Sequence, residues 1–359
     1  MFNPDRLALA RKRRMITAKS LAENAGLAVN TISRIESGET PPQEETVRRI
    51  AEALDYPVSF FYGDTFESLH PEAVSFRSLT KMSIKQRNAA TSAGELGVQL
   101  NAWMERNFTL PEPNIPDVFE ENDPDSAADT LRQHWLIGER PVGNMIGLLE
   151  ANGIRVFALA EESQDVDAFS FWLDDRAYIF LNTFKSPERS IFDAAHELGH
   201  LVLHRYNRPE ITREAEAEAN EFASSFLMPS NDVRPRIPRF VTLDLVLKAK
   251  QRWRVSAMAM AKRLHQLSFL TDWQYKAICI ELGKRGYRTA EPNGIKRETS
   301  LVWKQILTTL WQEKTTKEDI AKELALPIDE LEKLIGGVIR ENEVINADEQ
   351  VLRLVYTGQ

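Results

Sequence analysis

The chain has 359 residues, of which 43% are hydrophobic and 27% are charged, and its formal net charge is −8. These values are ordinary for a globular protein of two or three domains. Its single cysteine, Cys279, excludes an intrachain disulfide, and no run approaches 18 consecutive apolar residues, which excludes a membrane-spanning helix. Because the N-terminus also lacks the apolar stretch of a secretory signal, we expect a cytoplasmic protein.

The first 36 residues are basic although the whole chain is acidic. They hold seven Lys or Arg residues against three Asp or Glu residues. Such a local excess of positive charge indicates a site for a polyanion, and a solvated helix face is the alternative. Residues 5–61 also show the spacing of five short helices, with Thr17 as a candidate N-cap and Gly26 at a turn. The clearest predicted helices are Asp5–Arg14, Thr17–Asn24, Asn30–Glu36 and Thr46–Leu54.

Two blocks of this segment carry a resemblance. Leu21-Ala22-x-x-Ala25-Gly26 and Ile32-Ser33-Arg34-Ile35-Glu36-x-Gly38 resemble the Xre-type, phage-repressor helix-turn-helix. The resemblance implies that the third helix enters the major groove and that a dimer binds two half-sites. It also implies base contacts from Asn30, Thr31 and Arg34, and phosphate contacts from Arg11, Arg14 and Lys19. Many members have glutamine where this chain has Ala18, which removes one expected DNA contact; a helical protein-interaction module is the alternative.

The middle of the chain predicts an α+β unit. A long helix is expected over Ile84–Phe108, and four prolines mark residues 110–125 as a linker or exposed loop. From about residue 126 the predicted elements are a helix over Pro141–Asn152 that ends at Gly153, a strand over Ile154–Leu159, and a hairpin of Phe169–Leu173 and Ala177–Leu181. After Asn182 the pattern is helical almost to the end.

The strongest motif is His196-Glu197-Leu198-Gly199-His200. Residues four apart lie on the same face of a helix, about 6 Å apart, so the two imidazoles can bind one zinc ion. The carboxylate of Glu197 can then reach a water at the metal. A catalytic zinc site takes three protein ligands and leaves the fourth position open, so the motif predicts one further ligand.

The third ligand is sought in the helical stretch 213–223, which offers the carboxylates of Glu214, Glu216 and Glu218. We favour Glu216, because Asn220 lies one turn further on and can orient a histidine ligand, and we keep Glu218 in reserve. His204 extends the histidine spacing, but three successive turns of a straight helix cannot converge on one tetrahedral ion. We therefore expect His204 beside a ligand or in the core.

The motif, the block Glu216-x-x-x-Asn220-x-Phe222-Ala223 and the following Leu227-Met228-Pro229 together resemble the ImmA/IrrE metallopeptidases over roughly residues 130–235. The resemblance implies zinc bound by His196, His200 and Glu216, with Glu197 as catalytic base. It also implies cleavage of a repressor protein in prophage, mobile-element or stress responses. We expect the strand Ala177–Leu181 to pair with an extended peptide substrate. No oxyanion donor is identified, although Tyr206 and Arg213 are near in sequence.

The expected fold is mostly α, with a small α+β zincin-like peptidase domain between an N-terminal five-helix helix-turn-helix domain and a helical C-terminal region. The predicted domains are residues 1–64, a helical connector and Pro-rich linker over 65–125, the peptidase domain over 126–240, and a helical region of unknown role over 241–359. Residues 316–327 have the spacing of another helix-turn-helix, for which a helical pair packing its own core is the favoured interpretation. We expect Trp303 and Trp311 in the core.

These patterns predict a DNA-binding transcriptional regulator with zinc-dependent endopeptidase activity. Its expected partners are an operator in double-stranded DNA, a repressor-like protein substrate and a second copy of the chain. Two alternatives stay open: a transcription factor whose zinc domain is a non-catalytic sensor, and the control component of a toxin–antitoxin or phage-defence module. Glu197 favours catalysis, because a sensor does not need this carboxylate.

Overall fold

The computed structural model describes residues 1–65, 69, 75–76, 82–118, 123–159, 168–205, 212–287, 290–339 and 355–356. Tyr206 lies outside these residues. Within the described part, no helix combines the length and apolar character that crossing a bilayer requires.

The N-terminal unit consists of four α-helices and a 3₁₀-helix: α1 (Pro4–Arg13), α2 (Ala18–Ala25), α3 (Val29–Glu36), α4 (Glu44–Leu54) and the 3₁₀-helix Val58–Tyr62. Thr17 begins α2, because its side chain accepts a hydrogen bond of 3.0 Å from the Ser20 amide. Gly26 ends that helix with a φ of 61°, a conformation that costs glycine little. The inward residues of α3 are Ile32 and Ile35, as the spacing predicts.

A mixed sheet lies in the middle of the chain, with β3 (Ile154–Leu159), β4 (Ala168–Leu173) and β5 (Arg176–Asn182) as its longer strands. β5 pairs in parallel with β3 and antiparallel with β4, and the backbone of β1 (Ser75–Phe76) pairs with β4 on the other side. The hairpin turn has positive φ at both Asp174 and Asp175, which suits a tight two-residue loop. The predicted strand and hairpin are therefore confirmed within one or two residues.

The internal position of β5 corrects one expectation. Both of its edges are already hydrogen-bonded, one to β3 and the other to β4. Strand addition requires free backbone N–H and C=O groups at an edge. The prediction that Ala177–Leu181 pairs with a substrate was therefore wrong, and β4 is the strand of this hairpin that lies nearer the outside of the sheet.

The long helix α5 (Ile84–Asn107) packs on the sheet. Gly97 leaves room for the ring of Phe180, where a Cβ atom would collide. The Asn101 amide donates a 3.1 Å hydrogen bond to the Tyr178 hydroxyl. Residues 110–118 are irregular, as predicted, but they are not a free linker: Asn114 donates its backbone N–H to Asn152, at 3.0 Å.

The remaining helices surround the sheet and continue to the C-terminal region. They are α6 (Pro124–His134), α7 (Met145–Ala151), α8 (Pro187–Leu203), α9 (Arg213–Leu227), α10 (Ser230–Val233), the 3₁₀-helix Arg234–Arg236, α11 (Leu243–Trp253), α12 (Ala257–Gln266), α13 (Asp272–Lys284), α14 (Leu301–Gln312), α15 (Lys317–Glu323) and α16 (Ile328–Ile335). The short strands β2 (Phe108–Thr109) and β6 (Val355–Tyr356) pair antiparallel.

The C-terminal helices pack on both other parts of the chain. α14 lies against α7, and α16 lies against β3. Trp303 on α14 is buried as predicted, whereas Trp311 is 79% exposed, so that part of the prediction was wrong. Eight residues correspond to a rotation of about 80° around a helix, which takes Trp311 off the face that buries Trp303.

A cluster of charged side chains joins α16 to the N-terminal unit, and we call it the α1–α16 ion cluster. Arg13 Nε lies 2.7 Å from Glu330 Oε2, and these side chains are 4% and 1% exposed. Arg14 bridges Asp329 and Glu330, at 2.6 and 3.0 Å. Lys333 also contacts Asp329, at 2.6 Å. Thus a C-terminal helix makes buried ionic contacts with the first helix of the chain.

Candidate metal centre

The helix α8 positions the central motif. Pro187 occupies its first turn and the Ser186 side chain caps it, accepting a hydrogen bond from the Arg189 amide. At the middle of the motif, Gly199 lets α9 approach closely: a Cβ atom there would lie 3.1 Å from the Phe222 ring and 3.2 Å from Ala219 Cα. The glycine between the two histidines therefore brings the α9 carboxylates within reach of the imidazoles.

Three donor groups converge where α8 and α9 meet. His196 Nε2 and His200 Nε2 are 3.1 Å apart. Glu216 Oε1 lies 3.2 Å from His200 Nε2, and its Oε2 lies 3.5 Å from His196 Nε2. Ligand atoms bound to one tetrahedral zinc at about 2.0–2.1 Å are roughly 3.3 Å from one another. The His, His and Glu donor set and its spacing therefore fit a zinc ion, and this is the metal-type cluster found among the described residues.

The electrostatics of Glu216 suit a ligand to a cation. Partial burial raises the pKa of its carboxyl, but the hydrogen bonds and charges of His196 and His200 lower that pKa further, to about 2. The group is therefore a carboxylate at neutral pH. Its side chain is 24% exposed while His196 is fully buried, so the site opens on the side of Glu216.

Glu197 directly follows His196 in α8 and is fully buried. The Ser170 hydroxyl on β4 donates a 2.7 Å hydrogen bond to Glu197 Oε2. Sequence reasoning missed Ser170, because nothing local connects it to a motif 27 residues later. The sequence did contain an indication of a role, since Ser170 is the one residue with a hydroxyl in the apolar strand Ala168–Leu173.

The predicted recognition surface lies on α2 and α3. Lys19 and Arg34 are 75% and 62% exposed. Asn30 is exposed and Thr31 is half-buried. These four residues present polar groups outward on the two helices that a helix-turn-helix uses to contact DNA.

Two family models match the chain. Residues 7–61 match the helix-turn-helix family HTH_3, and residues 149–265 match the IrrE N-terminal-like domain, Peptidase_M78. The chain joins an Xre-type helix-turn-helix domain to an IrrE-type peptidase domain. No curated protein matches it. The matches support a DNA-binding regulator and a metallopeptidase-type domain, and the second match contains the whole His196, His200 and Glu216 cluster.

Within the IrrE-type domain, His204 lies beside a ligand candidate. Its Nδ1 is 3.1 Å from His200 Nδ1, and its Nε2 is 3.0 Å from Glu218 Oε2. The pKa of His204 is lowered, because burial and the neighbouring His200 outweigh the raising effect of the Glu218 carboxylate. Glu218, the reserve ligand, therefore contacts His204, and Glu216 contacts the two motif histidines.

Two other predicted positions are less informative. Asn220 donates its side-chain amide to the main-chain oxygen of Glu216, at 2.6 Å, so this bond ties it to the backbone of a ligand candidate. Its role in orienting a histidine stays a prediction. Arg213 is exposed at the start of α9, and the oxyanion donor has no assignment.

Within the helix-turn-helix domain, two of the residues predicted to contact phosphates also make contacts inside the protein. Arg11 makes hydrogen bonds of 2.6 and 3.1 Å to Glu36, which tie α1 to α3. Arg14 donates to the Leu54 and Asp55 main-chain oxygens and to Asp329. Both guanidinium groups therefore connect segments of the protein, and their phosphate contacts stay a prediction. The sequence could not distinguish the two roles, since arginine serves equally in ion pairs within a protein and in phosphate contacts.

Proposed function

We propose that this chain is a transcriptional regulator whose IrrE-type domain is a zinc endopeptidase acting on a repressor-like protein. The observation that carries the proposal is the convergence of His196, His200 and Glu216, with their ligand atoms within 4.8 Å of one another, beside the buried Glu197. Two imidazoles and one carboxylate leave a fourth position open, which is the pattern of a catalytic zinc site rather than a structural one.

The residues take separate roles in this mechanism. His196, His200 and Glu216 would hold the zinc ion, which supplies a Lewis acid and lowers the pKa of water at the site. Glu197 accepts a proton from the attacking water on its carboxylate and delivers it to the nitrogen of the leaving amine. Ser170 holds Oε2 of that carboxylate, at 2.7 Å. Burial of Glu197 keeps bulk water from competing for the proton.

The substrate is expected to approach along β4. This strand carries Ser170, which contacts Glu197, so a peptide that pairs with the residues of β4 following Ser170 passes near the proposed general base. Among the described residues, β1 pairs only with Phe169 and Ser170 of this strand. The rest of that edge, Phe171–Leu173, is where we place the main-chain hydrogen bonds to a peptide.

A Glu197→Gln variant tests the peptidase proposal. General acid–base catalysis contributes about 10²–10⁴ in rate, so the variant should bind zinc like the wild type and cleave at least about 100-fold more slowly. The measurement compares the proteins of cells that produce either chain, by quantitative detection of new peptide termini. A fragment that depends on Glu197 identifies the substrate. If the variant regulates its promoter normally and no fragment differs, the domain is a non-catalytic sensor.

Operator binding is tested separately with two surface variants. We propose that Arg34 reads a base edge and that Lys19 contacts a phosphate, with one dimer spanning two half-sites. Arg34→Ala should weaken specific binding by about 1–3 kcal/mol and relax the preference at one base, whereas Lys19→Ala should weaken binding to all sequences and reduce the salt slope by about one. Arg285→Ala, at an exposed residue directly after α13, is the control. Equal affinities for all four chains would contradict this assignment.

A further inference from the structure

We propose that Ser170 is a positioning residue for the catalytic carboxylate, fixing the orientation of Glu197 toward the metal side of the site. This inference rests on the proposed peptidase function. It adds a residue from the sheet to a site that the sequence motif places entirely on helices.

The position of Ser170 is determined by the sheet. Its backbone pairs with Ile179 of β5 and with Ser75 of β1, so β4 cannot shift there without breaking pairs on both sides. Ser170 itself is 1% exposed. Because both its backbone and its environment are fixed, the hydroxyl is a stationary donor for the side chain opposite.

The hydrogen bond to Glu197 has the length of a strong one. Ser170 Oγ lies 2.7 Å from Glu197 Oε2 and 3.4 Å from the Glu197 main-chain oxygen, so the carboxylate is the nearer acceptor. Contacts between a hydroxyl and a carboxylate are typically about 2.5–2.7 Å and about twice as strong as neutral ones. With Oε2 held by β4, the orientation of the carboxylate plane, and with it the position of Oε1, is defined before substrate arrives.

The consequence is one of orientation. Glu197 is not a proposed metal ligand, so metal binding does not by itself fix its carboxylate. Groups that orient the residues of a metal site by hydrogen bonding to them typically contribute about 10–100-fold to affinity or activity. Removal of the Ser170 hydroxyl should therefore reduce the functions of Glu197 by a factor in this range and leave metal binding unchanged.

The test measures acetohydroxamate binding to the full-length, Co²⁺-loaded chain, by its visible absorption spectrum. A hydroxamate binds a metal through two oxygens and donates a hydrogen bond to a neighbouring base, so its affinity reports the orientation of Glu197. We expect Ser170→Ala to bind the probe roughly 10-fold more weakly with unchanged Co²⁺ affinity, and Ser170→Thr, which keeps the hydroxyl, to bind like the wild type. Ser224→Ala removes another buried hydroxyl, one that contacts Gln266, and should have no effect.

A double-mutant cycle decides whether Ser170 acts through Glu197. In the Glu197→Gln background, Ser170→Ala should cause no further loss of probe affinity, because the group it orients is gone. Equal losses in both backgrounds, or wild-type affinity of Ser170→Ala, would overturn the positioning role while leaving the peptidase proposal intact. A wild-type chain that binds no Co²⁺ would instead overturn the proposed function itself, and this inference with it.

Discussion

The Glu216→Gln variant is expected to bind zinc at least about 100-fold more weakly than the wild-type chain. Outer contacts of metal ligands already contribute about 10–100-fold, and a direct ligand contributes more. Glutamine keeps the shape of the side chain but removes the negative charge. In the wild type the pKa of the Glu216 carboxyl is lowered to about 2, so the group is charged at neutral pH. The measurement is competition for zinc against a chromophoric chelator at neutral pH.

Two neighbouring glutamates of α9 provide control variants for this zinc-binding measurement. Glu214 is exposed, so Glu214→Gln should leave zinc affinity unchanged. Glu218 contacts His204, which contacts His200, so Glu218→Gln should weaken zinc binding by no more than about 10-fold, as expected of an outer contact. If Glu218→Gln lost more affinity than Glu216→Gln, the third ligand would be Glu218 and the proposed coordination would be wrong.

The second large effect is expected from Glu330→Ala in the α1–α16 ion cluster. Removing one partner of a buried ion pair typically costs about 3–5 kcal/mol, because the other charge stays buried without that partner. Arg13 and Glu330 are 4% and 1% exposed, so solvent screens their interaction little. We expect the free energy of the first unfolding transition in urea to decrease by this amount. The amides of the helix-turn-helix domain should also lose protection from hydrogen exchange.

Two further variants separate charge from packing in this cluster. Glu332→Ala changes an exposed residue of the same helix and should shift the transition by less than about 0.5 kcal/mol. The double variant Arg13→Met, Glu330→Leu removes both charges and keeps apolar volume, so it should recover most of the stability. A Glu330→Ala chain as stable as the Glu332→Ala chain would show that the ion cluster does not hold the helix-turn-helix domain in place.

The features that the sequence predicted correctly depend on neighbours along the chain. Capping by Thr17, the left-handed turn at Gly26 and the hairpin around Asp174 follow from preferences that act over a few residues. The pairing of His196 and His200 is also local, because helix geometry fixes it. The preference for Glu216 over Glu218 also came from spacing; Glu216 contacts the two motif histidines, and its role as a metal ligand stays a prediction.

The features that the sequence could not predict depend on contacts between distant segments. The role of Arg14 required knowledge of α16, which lies more than 300 residues later. The internal position of β5 required the strand order, since periodicity shows a strand but not its neighbours. Ser170 required the approach of β4 to α8. In each case the residue type was visible, and only the tertiary arrangement determined its partner.

The contacts of α16 also limit which DNA-binding domains can replace the one in this chain. One helix lies against β3 of the peptidase domain and binds Arg13 and Arg14 of the DNA-binding domain. A foreign DNA-binding domain grafted onto this chain would meet Asp329 and Glu330 without the arginines that neutralise them. Exchange of operator specificity between such proteins therefore requires that the acceptor helix and the donated first helix change together.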